Sequence, residues 1–387
     1  MNAAGVRDAA PRVAGIARAF PPHFYDQEAL LSRFRQVWGR RHFNLDRLEG
    51  LHRNVMVGGR HLALPLDEYE RLDTWGKAND AWIRVASDVG EEAVRRALET
   101  SGYTVSDVDA FFFVTVTGIS TPSLDALLMN RLRLPARVKR TPIFGLGCVA
   151  GAAGLARAAD YVRAYPDQVA IVLSVELCSL TIQQNDLSIP NLIATGLFGD
   201  GGAAVVVAGR ERPEPGAGPL VVSSRAVFYP DSERVMGWDI SQSGFRVVLS
   251  ADVPAVVLEH AGADVDGFLG DHELRREDIA AWISHPGGPK VLQAMQEALG
   301  LPETAFAASW RELREVGNLS SASVLMVLED VMAQPPPQGS HGLLIAMGPG
   351  FCSEMVLLRW DRDRVSQVAC RVSAGPAAGQ AGVASTR

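Results

Sequence analysis

The chain repeats itself, and that repeat limits the folds open to it. A helix-like stretch at 80–101, with Val85, Val89, Ala93 and Ala97 at helical spacing, leads into SDVDAFFFVTVTG, then GCVAGAAGLARAADYVRA, then VAIVLSV at 169–175. The same order returns as VPAVVLEHAGADVDGFLG, REDIAAWISHPGG, GNLSSASVLMVLEDVMA and HGLLIAMGPGF. Each copy is a helix, an acid-rich turn before an apolar strand with a polar tip, a glycine-led helix, and a second strand. Helices alternating with strands predict a layered α/β fold with a largely parallel sheet. Between the copies, GRERPEPGAGPL at 209–220 holds three prolines and three glycines, a linker signal. This predicts an N-terminal half over 12–210 and a C-terminal half over 211–365. The Ala-, Gly- and Ser-rich stretch 366–387 has no apolar period and reads as a disordered tail, with Cys370 a bystander thiol.

The repeat matches residues as well as elements. Thr117 precedes Cys148 by 31 positions and His285 precedes Asn318 by 33. Cys148 and Asn318 then sit at matched helix N-termini, Thr117 and His285 at matched strand ends. A pseudo-twofold arrangement would bring all four together.

Composition removes several classes. With 47% apolar and 21% charged residues, the chain can bury a large core. A net charge of −7 argues against bulk nucleic-acid binding, which needs a basic face. No apolar run reaches the ~18–20 residues of a membrane span. Asp8 and Arg12 interrupt the stretch a signal peptide would need, so a cytoplasmic location is expected. The four cysteines form no C-x-x-C pair and no zinc-like spacing, so neither a disulfide scaffold nor a metal site is expected.

Three residues could carry chemistry. Cys148, in FGLGCVAGAAG, stands where a strand, a Gly-rich turn and a helix start meet. Unpaired N–H groups and the helix dipole lower a thiol pKa there, and the thiolate is the reactive form. His285, in WISHPGGPK, ends an apolar strand, the place where open α/β sheets bind ligands. Asn318, in REVGNLSSAS, follows a glycine at the second helix start. Each has a structural alternative: a buried small residue for Cys148, a core histidine for His285, and an N-cap for Asn318.

Taken together, the Cys–His–Asn set, its spacing and its flanks resemble the type III polyketide synthases, the chalcone-synthase-like family. GLFGDGGAAVVV at 196–207 resembles the family's Phe-Gly-Asp-Gly segment, with Phe198 as aromatic gate. Gly348, Pro349 and Gly350 resemble its C-terminal Gly-Pro-Gly loop lining the cavity. Thr117, in TGIS, resembles the loop that reaches the dimer partner. RHLALPLDEY at 60–69 resembles the segment near the CoA entrance. The resemblance runs from about residue 12 to 360.

It implies a thiolase-type duplicated αβαβα layered fold and a homodimer. It implies an acyltransferase that uses acyl-CoA and malonyl-CoA as substrates, with no separate cofactor. Cys148 would carry the acyl group. His285 would keep Cys148 as thiolate through an ion pair and, with Asn318, donate to the malonyl thioester oxygen. Preorganised donors aimed at the enolate oxygen are worth ~3–4 kcal/mol each, and a neutral Asn does not repel the enolate as Asp would. Arg60 and Arg53 are the candidates for a cationic CoA mouth. The family's second aromatic gate is replaced by Val247, with Phe245 two residues away on the same strand face. A smaller gate is read as room for a bulky or long aliphatic starter. FYPDSERVMGWDI looks most like the bacterial subgroup making alkylpyrones and alkylresorcinols from fatty acyl-CoA starters.

Three rivals remain. A ketoacyl synthase III-like fatty-acid initiation enzyme shares the triad but uses a carrier protein and stops after one condensation. A papain-like hydrolase has the same residue order, and 137 residues separate Cys148 from His285. However, GLGCVAGA is not its signature. A non-catalytic acyl-CoA binder would bind without turnover.

Overall fold

The computed structural model describes residues 10–38, 45–212 and 218–361. The tail from 366 and Cys370 lie outside the described residues. The first half contains strands β1 (Arg12–Ala19), β2 (His23–Asp26), β3 (Gly59–Leu62), β4 (Val108–Thr115), β5 (Lys139–Phe144), β6 (Val169–Leu177) and β7 (Asp200–Ala208). Its helices are α1 (Gln27–Trp38), α2 (Leu45–Asn54), α3 (Trp75–Ser101), α4 (Leu124–Leu132), α5 (Ala150–Ala164) and α6 (Ile189–Leu197). The second half holds β8 (Leu220–Phe228), β9 (Met236–Ser241), β10 (Gly244–Leu249), β11 (Ile279–Ser284), β12 (His341–Gly348) and β13 (Cys352–Arg359). With them are α7 (Val253–Gly270), α8 (Pro289–Leu299), α9 (Ala307–Val316) and α10 (Ser321–Ala333).

The duplication is visible in the strand order β11-β12-β13-β8-β1-β7-β6-β4-β5. Read outward from the centre, β1-β7-β6-β4 on one side answers β8-β13-β12-β11 on the other. β5 extends one edge and has no counterpart. Within the sheet the join between halves is narrow: Arg12 pairs with Leu220, and Val13 N–H donates to the Pro219 carbonyl at 2.9 Å.

The sheet is less parallel than expected. β5 and β6 run parallel to β4, and β12 to β11; the other neighbours are antiparallel. Helical crossovers impose the parallel pairs, whereas β12 turns directly into β13 over 349–351, which only an antiparallel pair allows.

Strand alternation sorts the core into layers. From β4, Ala110 and Phe112 face α5 and α10, while Phe111 and Phe113 face α3. From β12, Leu344 and Ala346 face α5 and α10, while Leu343 and Ile345 join α7. The result is helix, half-sheet, paired central helices, half-sheet, helix. On α3, the predicted stripe Val85, Val89, Ala93 and Ala97 is buried. That helix starts at Trp75, five residues before the apolar period shows, because Thr74 caps it by accepting from Lys77 N–H at 3.3 Å. No helix of the described residues is long and apolar enough to cross a membrane.

The central helices approach most closely at their N-termini. A Cβ on Gly151 of α5 would overlap the Ser321 carbonyl of α10. Glycine to alanine normally stabilises a helix interior by ~1 kcal/mol. Here Gly151→Ala is expected to lower Tm instead, and a thermal melt showing a rise would contradict this packing.

Candidate active site

Cys148 owes its place to a tight reversal after β5. Gly147 has φ 55°, and a Cβ there would stand 2.6 Å from Pro349 Cδ, so only glycine fits. A 3-10 turn over Gly147–Val149 then feeds α5. The thiol is 6% exposed and donates to Ser320 Oγ at 3.6 Å. Ser320 itself is strained, with φ 48° just before α10. It is held there by Asn318, whose Oδ1 accepts Ser320 N–H at 2.8 Å. An oxygen must face that N–H, so the amide nitrogen points away, and it donates to the Gly287 carbonyl at 3.3 Å. Gly287 belongs to the His285–Pro286–Gly287–Gly288 turn, and His285 N–H is tied to the Ile345 carbonyl at 2.9 Å. One run of contacts therefore links Cys148, Asn318 and the His285 turn, although 137 and 33 residues separate them in sequence. The N-cap of α10 is Ser320, not Asn318, so the capping explanation of Asn318 fails.

His285 is 6% exposed, and its buried Nδ1 has no hydrogen-bond partner. Burial lowers its pKa to about 3. Burial also pushes the Cys148 thiol up to about 12, with the Ser320 hydrogen bond acting the other way and Glu176 adding to the rise. Each group alone is neutral here. Burial thus disfavours the charged form of each group taken alone, and pairing with an opposite charge would offset that cost.

Glu176, at the end of β6, was not singled out in the sequence. It is fully buried and accepts from Thr117 Oγ1 at 2.8 Å, Val116 N–H at 3.1 Å, Thr115 Oγ1 at 3.3 Å and Ser321 Oγ. Thr117 also receives Leu177 N–H at 3.0 Å and Trp82 Nε1–H at 3.3 Å. Its hydroxyl is thus engaged in a buried network beneath Cys148 and does not face an open cavity. Nothing in VAIVLSVEL marked Glu176, since a carboxylate at a strand end ordinarily faces water.

Phe198 and Val247 do meet, on one small pocket with Cys178 and Trp238. Trp238 is the direct cross-strand partner of Val247 in the β9–β10 hairpin. The bulk missing at Val247 is supplied from the opposite strand, and the pocket encloses about 10 Å3. The expected looser gate is therefore not found. A pairing register is invisible in sequence, so Trp238 escaped notice. A cavity of about 1040 Å3 lies alongside, and Thr181 and Ile182 line both spaces. Its walls include Leu62, Leu66, Leu72, Trp75 and Phe245.

Gly348 and Pro349 press on the Cys148 turn: a Cβ on Gly348 would stand 2.7 Å from Val149 N. After Gly350, the loop is anchored by Phe351 N–H on Ser232 Oγ. The two arginines diverge. Arg53 is exposed and pairs with Glu49 at 3.5 Å. Arg60 is 1% exposed and donates to the Phe198 carbonyl at 2.9 Å. It sits on the inner wall of the large cavity and forms no solvent-facing mouth, because β3 carries it into the core. Among the described residues, no group of three His, Cys, Asp or Glu side chains could hold a metal ion.

Comparison with known proteins identifies a family. Residues 3–211 match the N-terminal domain of chalcone and stilbene synthases, and 220–360 match the C-terminal domain. The chain is 50% identical over 357 residues to a 1,3,6,8-tetrahydroxynaphthalene synthase from Streptomyces peucetius subsp. caesius, covering 92% of this chain and 94% of that one. It is 30% identical to a phloroglucinol synthase from Pseudomonas fluorescens, over 88% and 97% of the two chains. The solved 1,3,6,8-tetrahydroxynaphthalene synthase of Streptomyces coelicolor, a bacterial type III polyketide synthase, superposes with a TM-score of 0.86 at 31% identity, over 92% of this chain and all of that one.

Two outcomes can be tested. With His285 as the proton acceptor that the family resemblance implies, iodoacetamide alkylation of Cys148 in His285→Ala should slow at neutral pH and keep rising with pH where the parent levels off. Superimposable pH profiles would refute the coupling. Trp238→Ala should open the pocket beside Phe198 and raise kcat/KM for bulkier starters relative to small ones; an unchanged starter profile would remove Trp238 from the gate.

Proposed function

The chain belongs to the chalcone and stilbene synthase family and is a type III polyketide synthase, with the layered thiolase-like fold of that family; from this we propose that Cys148, His285 and Asn318 perform decarboxylative condensation of malonyl-CoA onto a Cys148-bound acyl group. The observation that supports these roles is the contact chain from Cys148 through Ser320 and Asn318 to the His285 turn.

The steps balance without an oxidant. Cys148 sulfur attacks the starter thioester carbonyl, its proton passes through His285, and CoA leaves as the protonated thiol. Malonyl-CoA then loses its carboxylate as CO2, and the electron pair of the broken C–C bond moves to the thioester oxygen as an enolate. The free amide hydrogen of Asn318 and an N–H of His285 are the donors for that oxygen. The enolate carbon attacks the acyl carbonyl, the Cys148 sulfur leaves, and the lengthened chain rests on CoA until Cys148 is reloaded. CoA thioesters are substrates throughout and no resident cofactor is invoked.

For the product, the first reading follows the 50% identical relative. Ten naphthalene carbons oxygenated at positions 1, 3, 6 and 8 have the alternate oxygenation of two-carbon units joined in series. Malonyl-CoA would then be starter as well as extender, and the filled pocket at Phe198, Trp238 and Val247 suits a small starter. A second reading is a long acyl starter giving alkylpyrones or alkylresorcinols. It is favoured by the roughly 1040 Å3 cavity that shares Thr181 and Ile182 with the gate pocket. The exposed edge strand β5, which leaves Phe144 uncovered, is the surface for a homodimer. An exposed edge invites pairing.

One assay separates the readings: purified protein with labelled malonyl-CoA, alone and with acyl-CoA starters from acetyl to stearoyl, products resolved by mass. Tetrahydroxynaphthalene from malonyl-CoA alone supports the first; pyrones or resorcinols formed best with long starters support the second. Single-step ketoacyl products that require a carrier protein would reject both. Cys148→Ala should abolish condensation while leaving malonyl-CoA decarboxylation, which needs only His285 and Asn318. Loss of both activities in a folded variant would contradict that division.

A further inference from the structure

We propose that Arg60 is a positioning residue, which holds Asn318 and Phe198 in working register through the backbone they share. Its side chain is almost wholly buried, yet no carboxylate is hydrogen-bonded to it. Nη1 donates to the Phe198 carbonyl at 2.9 Å, and Nε is buried without a partner. The nearby Asp200 spends its oxygens on Ala63 N–H at 2.6 Å, Ser179 N–H at 2.8 Å and Ser179 Oγ. Burial lowers the guanidinium pKa to about 10, with Asp200 acting against that, so Arg60 stays charged at neutral pH. A buried charge aimed at one carbonyl is costly, and a local geometry is what it can fix.

The carbonyl it holds is central. On either side of Phe198, Leu197 O accepts Asn318 N–H at 2.9 Å and Gly199 N–H donates to the Asn318 carbonyl at 3.0 Å. Phe198 and Asn318 thus form a short parallel bridge. Two glycines let the segments close. A Cβ on Gly317 would stand 2.7 Å from the Leu197 carbonyl, and one on Gly199 would stand 2.5 Å from the Val316 carbonyl. The aliphatic stem of Arg60 fills the space both glycines leave, 3.2 Å from a Cβ at Gly317 and 3.5 Å from one at Gly199. Arg60 therefore clasps both segments: one carries the gate ring, the other the amide assigned to the enolate. The route from Arg60 to chemistry rests on that assignment of Asn318.

The test uses Arg60→Met, which keeps the stem and loses the donors, and Arg60→Lys, which restores one. Malonyl-CoA decarboxylation without starter reads Asn318; mass-detected acylation reads Cys148. Arg60→Met should lower decarboxylation kcat by about tenfold with KM within about threefold, leave Cys148 acylation intact, and be partly rescued in Arg60→Lys. Arg60→Ala should recover with ethylguanidine, which can enter through the cavity that Arg60 lines. Decarboxylation near the parent rate in Arg60→Met would overturn the inference. So would decarboxylation and acylation falling together with Tm, without guanidine rescue. Asn318→Ala in parallel separates the two claims. Loss there with retention in Arg60→Met removes only the role of Arg60; retention in Asn318→Ala removes the assigned role of Asn318 and the route with it.

Discussion

The site depends on one close approach, that of α5 and α10 where Gly151 meets the Ser321 carbonyl. A side chain at Gly151 would push the two N-termini apart. Their contact places the Cys148 turn against Ser320 and Asn318. The small residues of α5, Ala152, Ala153, Ala156 and Ala159, are then explained by packing and not by propensity alone. Two half-sheets close over this pair, so Cys148 from one half and His285 and Asn318 from the other are buried together.

That burial has consequences for every polar group inside. A buried polar atom left without a partner costs roughly 1–3 kcal/mol. Most are satisfied: Glu176 collects four donors, and Asp200 takes two backbone N–H groups and a hydroxyl. His285 Nδ1 and Arg60 Nε are among the exceptions, as are atoms remote from the site such as Trp360 Nε1 and Arg212 Nε. The same burial that favours a neutral thiol and imidazole also strengthens any charge pair they form, because water does not screen it.

Bulk beside Phe198 comes from a neighbouring strand. Val247 is small where the family resemblance leads one to expect an aromatic ring. Trp238 stands opposite it in the hairpin and fills the space beside Phe198. A residue-by-residue reading of β10 sees a loss; the paired strands show an exchange.

The sequence by itself determined the duplicated α/β order and singled out Cys148, His285 and Asn318 as candidates. It could do so because those features are local: helical and strand periods, glycines at turns, and similar spacings of 31 and 33 residues in two copies. Only the tertiary structure decided which strands run antiparallel, that Ser320 and not Asn318 caps α10, and that Arg60 points inward. It alone brought Glu176, Thr117 and Ser321 into one network and set Trp238 across from Val247. These are contacts between segments tens to hundreds of residues apart, and chain spacing carries no record of which side chains will be neighbours once the sheet, its register and the central helices have closed.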